Sequence, residues 1–216
     1  WALINGESHA AISIHTIVPG LDAGNVLYQQ LIPIQPRDTV SDLYARLNAV
    51  QAAHLGQAVT RLLSGDIGQA QDLAAATYGC TRVPDDGEID WSQSTAQIDR
   101  LIRALTPPFP GAYSFIDGRQ LTIWKAEPVV NPPIYQGRVP GRVIGRSSVA
   151  GWVDVLTGDG VLRLCEVQFP GEQLTRAAAS ISSTHATLGV RTIDLLRRIQ
   201  ALEQQLARVG SNNNVS

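Results

Sequence analysis

Two strand signals separated by a glycine-punctuated turn constrain the fold of this chain more than any other stretch. Apolar and polar residues alternate over 11–17 and a second apolar run begins at Val26, which predicts a strand, a turn and a second strand. Gly20 and Gly24 allow the turn backbone shapes that other residues avoid. Such a turn can present Asp22 to a ligand as a base, although Asp beside Gly is also typical of a carboxylate that only accepts hydrogen bonds from its own turn.

Two helices with capping signals are predicted downstream. Thr39, followed by an acidic residue three positions later, predicts a capping box and a helix that ends at 64–66, with one apolar stripe facing the sheet. A second helix is predicted to begin at Ser94 or Thr95 and to run to Ala104, before a Pro-Pro pair.

The pattern past residue 111 changes to short strands joined by Asp-Gly turns. The predicted strands cover 112–116, 120–126, 141–146, 152–156 and 161–168. Five short strands with such turns are typical of a small barrel.

Composition limits the class of protein. The 216 residues carry a net charge of −2, no apolar run approaches the ~20 residues of a membrane span, and Cys80 and Cys165 form no ligand pattern. These features predict a cytoplasmic protein with no membrane association and no metal. The acidic residues over 85–90 suggest a solvated turn rather than a cation site. Arg103 is expected to be a structural ion-pair partner rather than a residue that steers an anionic ligand.

Six blocks of sequence, in order, resemble the 10-formyltetrahydrofolate-dependent formyltransferases. The first three, at 1–7, 12–15 and 20–24, resemble the second half of the catalytic domain of that family. The other three, at 86–91, 101–104 and 108–113, resemble the segment that leads into the C-terminal domain of methionyl-tRNA formyltransferases.

The resemblance implies an architecture for the whole chain. It implies an α/β fold in which the C-terminal part of a Rossmann-like formyltransferase domain (1–68) is followed by a linker segment with a helix (69–111). An OB-like β-barrel domain (112–170) and a C-terminal helix with a disordered tail (171–216) complete it. Family members carry an Asn-x-His pair before the position that matches residue 1, so the sequence is interpreted as a fragment.

The resemblance also implies roles for the turn residues. In the family, the aspartate that matches Asp22 helps to move protons from the attacking amine, and His15 would lie beside it in a supporting catalytic role. The donor would be 10-formyltetrahydrofolate, with its pteridine bordered by backbone of the turn at Val18, Pro19, Gly20 and Leu21. A histidine at a strand end is as often simply hydrogen-bonded there, and both interpretations of His15 remain open.

Three functions are compatible with this resemblance. The first is an N-formyltransferase whose acceptor is a small primary amine, such as that of a nucleotide-linked amino sugar. The second is a methionyl-tRNA formyltransferase. We favour the small acceptor because residues 128–216 carry nine arginines against six acidic residues without a basic run, which is little charge for tRNA binding. The third, from another class, is a non-catalytic binding or oligomerisation module.

A final helix is predicted over 190–209. Leu195, Ile199, Leu202 and Leu206 are spaced alternately by four and three residues, which is typical of a heptad seam. The seam is expected either to dock on the barrel or to pair with a partner helix, including that of a homodimer. The tail from 211 to 216 is expected to be disordered.

Overall fold

The computed structural model describes residues 1–190 and 192–212, and its elements form a small strand pair followed by a larger antiparallel sheet. The first part contains α1 (Ala2–Asn5), β1 (His9–His15), β2 (Val26–Pro33), α2 (Val40–Leu63) and α3 (Thr95–Ala104). The second contains β3 (Ala112–Ile116), β4 (Arg119–Pro128), β5 (Val143–Ser147), β6 (Trp152–Leu156), β7 (Val161–Gln168), β8 (Thr175–Arg176), α4 (Ala177–Ser180) and α5 (Thr192–Asn212). The expected α/β class is confirmed.

The strand pair positions the turn that carries Asp22. β1 and β2 are antiparallel, from the pair His9 and Pro33 to the pair His15 and Val26, with an irregularity before His15. The predicted strands are therefore confirmed, although the first ends two residues earlier than expected. The register shifts just before His15, and the chain over 17–23 lies exposed in the loop.

Helix α2 packs on this pair along much of its length, and its second half contributes the buried Ala58 and the ring of His54, which stacks on Tyr28 of β2. Its predicted capping box is confirmed, because Thr39 accepts from the backbone of Asp42 while the Asp42 carboxylate accepts from the backbone of Thr39. Leu43 is buried near this end, whereas Leu62 and Leu63 near the other end are 43% and 83% exposed. The prediction of one apolar stripe facing the sheet therefore holds as far as the buried Ala58, and it is wrong for Leu62 and Leu63 at the end of α2.

The larger sheet has the order β3-β4-β7-β6-β5, with β8 beside β7, and every pairing is antiparallel. Its core includes Leu121, Ile123, Leu162 and Leu164, all fully buried, and α3 adds Ile98 and Ile102 to the same cluster. All five predicted strands are present. The OB-like barrel remains a prediction, because no pairing joins β3 to β5 among the described residues.

A buried ion pair network ties the start of α2 to α3 and the sheet. Asp99 accepts from Arg103 Nε at 2.8 Å and from Arg37 Nη1 at 2.9 and 3.0 Å. Arg37 also donates to the carbonyl of Ala126 on β4, and Arg103 donates to the carbonyl of Asp38. The structural role expected of Arg103 is confirmed.

Asp38 extends this network toward α2. Its buried carboxylate accepts hydrogen bonds from the Arg46 guanidinium and from the backbone of Gln35. The Arg46 hydrogen bond is the main reason that the pKa of Asp38 lies below its usual range. The carboxylate therefore stays ionised and paired at neutral pH.

Helix α5 ends the described chain. Ser211 and Asn212 belong to it, so the disorder expected from residue 211 is wrong for these two residues, and the rest of that expected tail, 213–216, lies outside the described residues. Within the described ranges, no helix is both long and apolar enough to cross a membrane. The domain boundaries at 68, 111 and 170 stay predictions.

Candidate functional site

The loop between β1 and β2 is fixed at its base by hydrogen bonds across its two ends. The backbone of Thr16 donates to the carbonyl of Asn25 at 3.0 Å, and the backbone of Asn25 donates to the Thr16 hydroxyl at 3.0 Å. The Asn25 side chain also donates to the carbonyl of Ile67, in the segment that follows α2, at 3.0 Å. The loop is therefore attached both to its own strands and to a distant part of the chain.

Gln71 holds the loop at its centre. Its side-chain amide lies 2.7 Å from the carbonyl oxygens of both Asp22 and Gly24 and donates to them. Sequence reasoning missed this residue, because it lies in a segment without periodicity and no local pattern links it to the loop. Gln71 thus fixes the backbone that carries the predicted catalytic carboxylate.

The structure brings the two predicted catalytic side chains together. His15 Nε2 lies 3.7 Å from Asp22 Oδ1, and the Asp22 side chain is 84% exposed. His15 Nδ1 lies 2.9 Å from the carbonyl of Thr16, which can only accept, so Nδ1 carries the proton in this contact. The ring is thereby oriented with Nε2 toward the carboxylate, and the histidine is both hydrogen-bonded at its strand end and adjacent to Asp22.

The backbone conformation of the loop differs from the expectation in one respect. Asp22 itself, with φ 52°, adopts the left-handed conformation, whereas Gly20 and Gly24 do not. Aspartate tolerates this region better than most residues. The glycines therefore contribute through their small size, while the left-handed residue is the one that projects the carboxylate into solvent.

The predicted folate-binding residues line an exposed edge of this loop. Leu21 is 92% exposed, Val18 is 41% exposed, and Pro19 and Gly20 are also exposed. An apolar cavity of about 440 Å³ lies between α1, α2 and the chain near Phe109, but none of its lining residues belongs to the loop. In the part of the chain that the structure describes, the loop presents a surface open to a ligand.

Gly24 is required by close packing inside the loop. A Cβ atom at this position would lie 1.7 Å from the carbonyl oxygen of Thr16. We expect Gly24→Ala to lower the free energy of unfolding by about 1–3 kcal/mol, because backbone atoms must move apart to relieve the contact. Urea denaturation measures this change.

Gly56→Ala is the matched control for that substitution. Gly56 lies on the exposed face of α2, and a Cβ atom there would meet nothing within 4 Å. This change is expected to raise the free energy of unfolding by about 0.5–1 kcal/mol, since alanine is the better helix former. Equal effects of the two substitutions would contradict the close contact at Gly24.

Two family models match the chain. Residues 1–59 match a model described as formyl transferase, and residues 83–184 match one described as formyl transferase, C-terminal domain. The first match contains the whole loop from Thr16 to Asn25. The second contains α3 and strands β3 to β8.

Solved structures share this fold. HypX from Aquifex aeolicus, in complex with tetrahydrofolic acid, has a TM-score of 0.61 and 19% identity over 83% of this chain and 31% of its own. An N-formyltransferase from Helicobacter canadensis, in complex with folinic acid and dTDP-3-aminofucose, has a TM-score of 0.54 and 16% identity over 76% of this chain and 57% of its own. Methionyl-tRNA formyltransferase from Clostridium thermocellum has a TM-score of 0.51 and 20% identity over 73% of this chain and 62% of its own.

The described fold, a strand pair with its helix followed by an antiparallel sheet, is thus shared with these three structures. The chain spans about a third of the length of HypX and about three fifths of the other two. Because the two formyltransferase family models together match most of its residues, the chain belongs to the formyltransferase family. The resemblance recognised in the sequence is confirmed.

Proposed function

We propose that this protein is an N-formyltransferase that moves a formyl group from 10-formyltetrahydrofolate to a primary amine, with Asp22 accepting a proton from the amine. The observation that carries the proposal is the exposed Asp22 carboxylate, held on a fixed loop beside His15 within the region matched by the family. Folate ligands in the structures of HypX and the Helicobacter enzyme support the choice of donor.

The loop suits this donor. Backbone groups at residues 18–21 lie on an exposed edge next to Asp22, where a flat heterocycle has access to their donors and acceptors. When bound, 10-formyltetrahydrofolate supplies the activated formyl group.

Asp22 supplies the base that the acceptor needs. An amine that attacks a formyl carbon becomes cationic and must lose a proton, and a carboxylate within hydrogen-bond reach is suited to accept it. The bond between the formyl carbon and N10 of the donor then breaks, and that proton passes to N10 of the released tetrahydrofolate. His15 Nε2 lies 3.7 Å from Oδ1, so a ring protonated at both nitrogens forms an ion pair with the carboxylate and holds it in place. The proposed division of roles is therefore a proton acceptor, Asp22, and a positioning residue, His15.

We further propose that the acceptor is a small molecule, such as a nucleotide-linked amino sugar, rather than methionyl-tRNA. The arginines of the larger sheet and its loops bind atoms of the protein itself, which leaves few cations for a polyanion. These intramolecular contacts involve Arg119, Arg138, Arg142, Arg146, Arg163 and Arg176. The sugar in the Helicobacter complex supports this acceptor class.

The test is a formyl transfer assay with the intact natural protein. The protein is incubated with 10-formyltetrahydrofolate and either a nucleotide-linked amino sugar or methionyl-tRNA, and formylated product is detected by mass spectrometry at several salt concentrations. We expect product from the amino sugar, with a weak dependence on salt. Steep weakening with salt, and product from the tRNA alone, would favour the tRNA acceptor. If neither amine is formylated, the proposed formyl transfer is contradicted and the protein is instead the non-catalytic binding or oligomerisation module.

We also propose that the protein works in a reducing compartment, the cytoplasm. Cys80 is exposed and Cys165 half-buried, and both are free thiols. Burial raises the pKa of the Cys165 thiol, which keeps it in the unreactive protonated form. Two unpaired thiols are typical of reducing surroundings.

A further inference from the structure

We propose that α5 pairs with α5 of a second copy of this chain as a parallel, two-stranded coiled coil. This inference concerns an interaction surface and is independent of formyl transfer. It starts from the apolar residues of α5, which the described fold leaves uncovered. Leu195, Ile199 and Leu202 are 52%, 51% and 43% exposed, although they share one face of the helix.

The spacing of these residues fits a coiled coil. Leu195, Ile199 and Leu202 follow each other at intervals of four and three, and the sequence continues the interval with residue 206, also a leucine. With its 21 residues, α5 covers about three heptads. Docking on the larger sheet, the other expectation for this helix, would bury this face, and the exposed fractions do not fit such docking.

The kinds of residue along the seam favour two strands. When Ile199 occupies heptad position a, Leu195 and Leu202 occupy position d. A β-branched residue at a with leucine at d favours parallel dimers over larger assemblies. A second copy of the same helix therefore covers the seam with complementary side chains.

Charge specifies the partner and its direction. In this register, Arg198 lies at position g and Glu203 at position e of the next heptad, and both are exposed. In a parallel pair, Arg198 of each copy faces the second copy's Glu203, which gives two opposite-charge contacts. An antiparallel pair with full overlap would instead bring the two Glu203 side chains together. Only in the parallel homodimer do Arg198 and Glu203 of each copy both face a side chain of opposite charge.

Charge reversal in the full chain tests this pairing. Arg198→Glu and Glu203→Arg are prepared separately, and self-association of each is measured by analytical ultracentrifugation over a range of concentrations. Each variant places like charges opposite each other twice, so we expect its dimer dissociation constant to rise about tenfold or more. An equal mixture of the two variants places opposite charges at both contacts, and we expect it to associate within about threefold of the unchanged chain.

Controls on the outer face of α5 separate pairing from net charge. Gln200→Glu and Gln204→Arg change the charge at positions b and f, away from the seam, and are expected to leave association unchanged. Ile199→Asp is expected to abolish association, and as an exposed position it leaves the folded sheet intact. A monomeric unchanged chain at the highest concentration reached, or a mixture that associates no better than either variant alone, would overturn the proposal.

Discussion

Replacing Asp22 by Asn is expected to lower the turnover of the intact protein by about two or more orders of magnitude while leaving its fold unchanged. The amide keeps the size and shape of the carboxylate but accepts no proton from the attacking amine. The side chain is 84% exposed, and Asn tolerates the left-handed φ of 52°, so no packing is lost. Formylated product formed per unit time, measured by mass spectrometry, gives the effect.

Asp117→Asn is the matched control for this substitution. Asp117 is also an exposed turn residue, with a φ of 50°, and it lies on the β3–β4 turn, outside the candidate site. Turnover of this variant is expected to equal that of the unchanged protein, and both variants should keep its melting temperature. Near-normal turnover of Asp22→Asn would remove Asp22 from the mechanism.

The second large effect concerns stability. Asp99→Ala is expected to lower the free energy of unfolding by about 3–5 kcal/mol, because it leaves Arg103 buried without its carboxylate. Asp99 is 4% exposed and Arg103 is 9% exposed, and Arg37 loses its carboxylate partner in the same change while it keeps the carbonyl of Ala126. Chemical denaturation of the full chain measures the loss.

Asp85→Ala provides the comparison. Asp85 is exposed in the segment before α3 and lies outside the network. Its replacement is expected to change the free energy of unfolding by less than about 0.5 kcal/mol. A loss below about 1 kcal/mol for Asp99→Ala would contradict the view that this network stabilises the contact of the start of α2 with α3.

Features fixed by neighbouring residues were predicted from the sequence. Capping at Thr39 and at Ser94, and the turn at 117–118, each depend on contacts within three or four residues, and the structure has all three. The five strands of the larger sheet follow in the same way from alternation between turns. Local chemistry was therefore sufficient for the elements.

Features that depend on distant contacts were not predictable in this way. Gln71 binds a loop 47 residues upstream, and the close approach of Gly24 to the Thr16 carbonyl depends on how the loop folds back. The exposure of Leu62 and Leu63 at the end of α2 depends on which other elements reach that end. The sequence carries no periodic signal for any of these relations.

The candidate site combines both kinds of feature. The position of Asp22 on a turn between strands follows from local pattern, and its proposed role follows from the family resemblance. Its left-handed backbone and its contact with His15 emerge only in three dimensions. Sequence reasoning thus located the carboxylate, while the structure accounts for how it is held and why it is accessible.

The most direct test of the account is the position of the Asp22 carboxylate in a crystal structure of the intact natural protein with tetrahydrofolate. We expect folate along residues 18–21 and, with an amine acceptor bound in the same crystal, the carboxylate within about 2.6–3.2 Å of the amine nitrogen, directly or through one water. Folate bound elsewhere, for example in the apolar cavity beside α2, or a carboxylate turned away from that nitrogen, would contradict it.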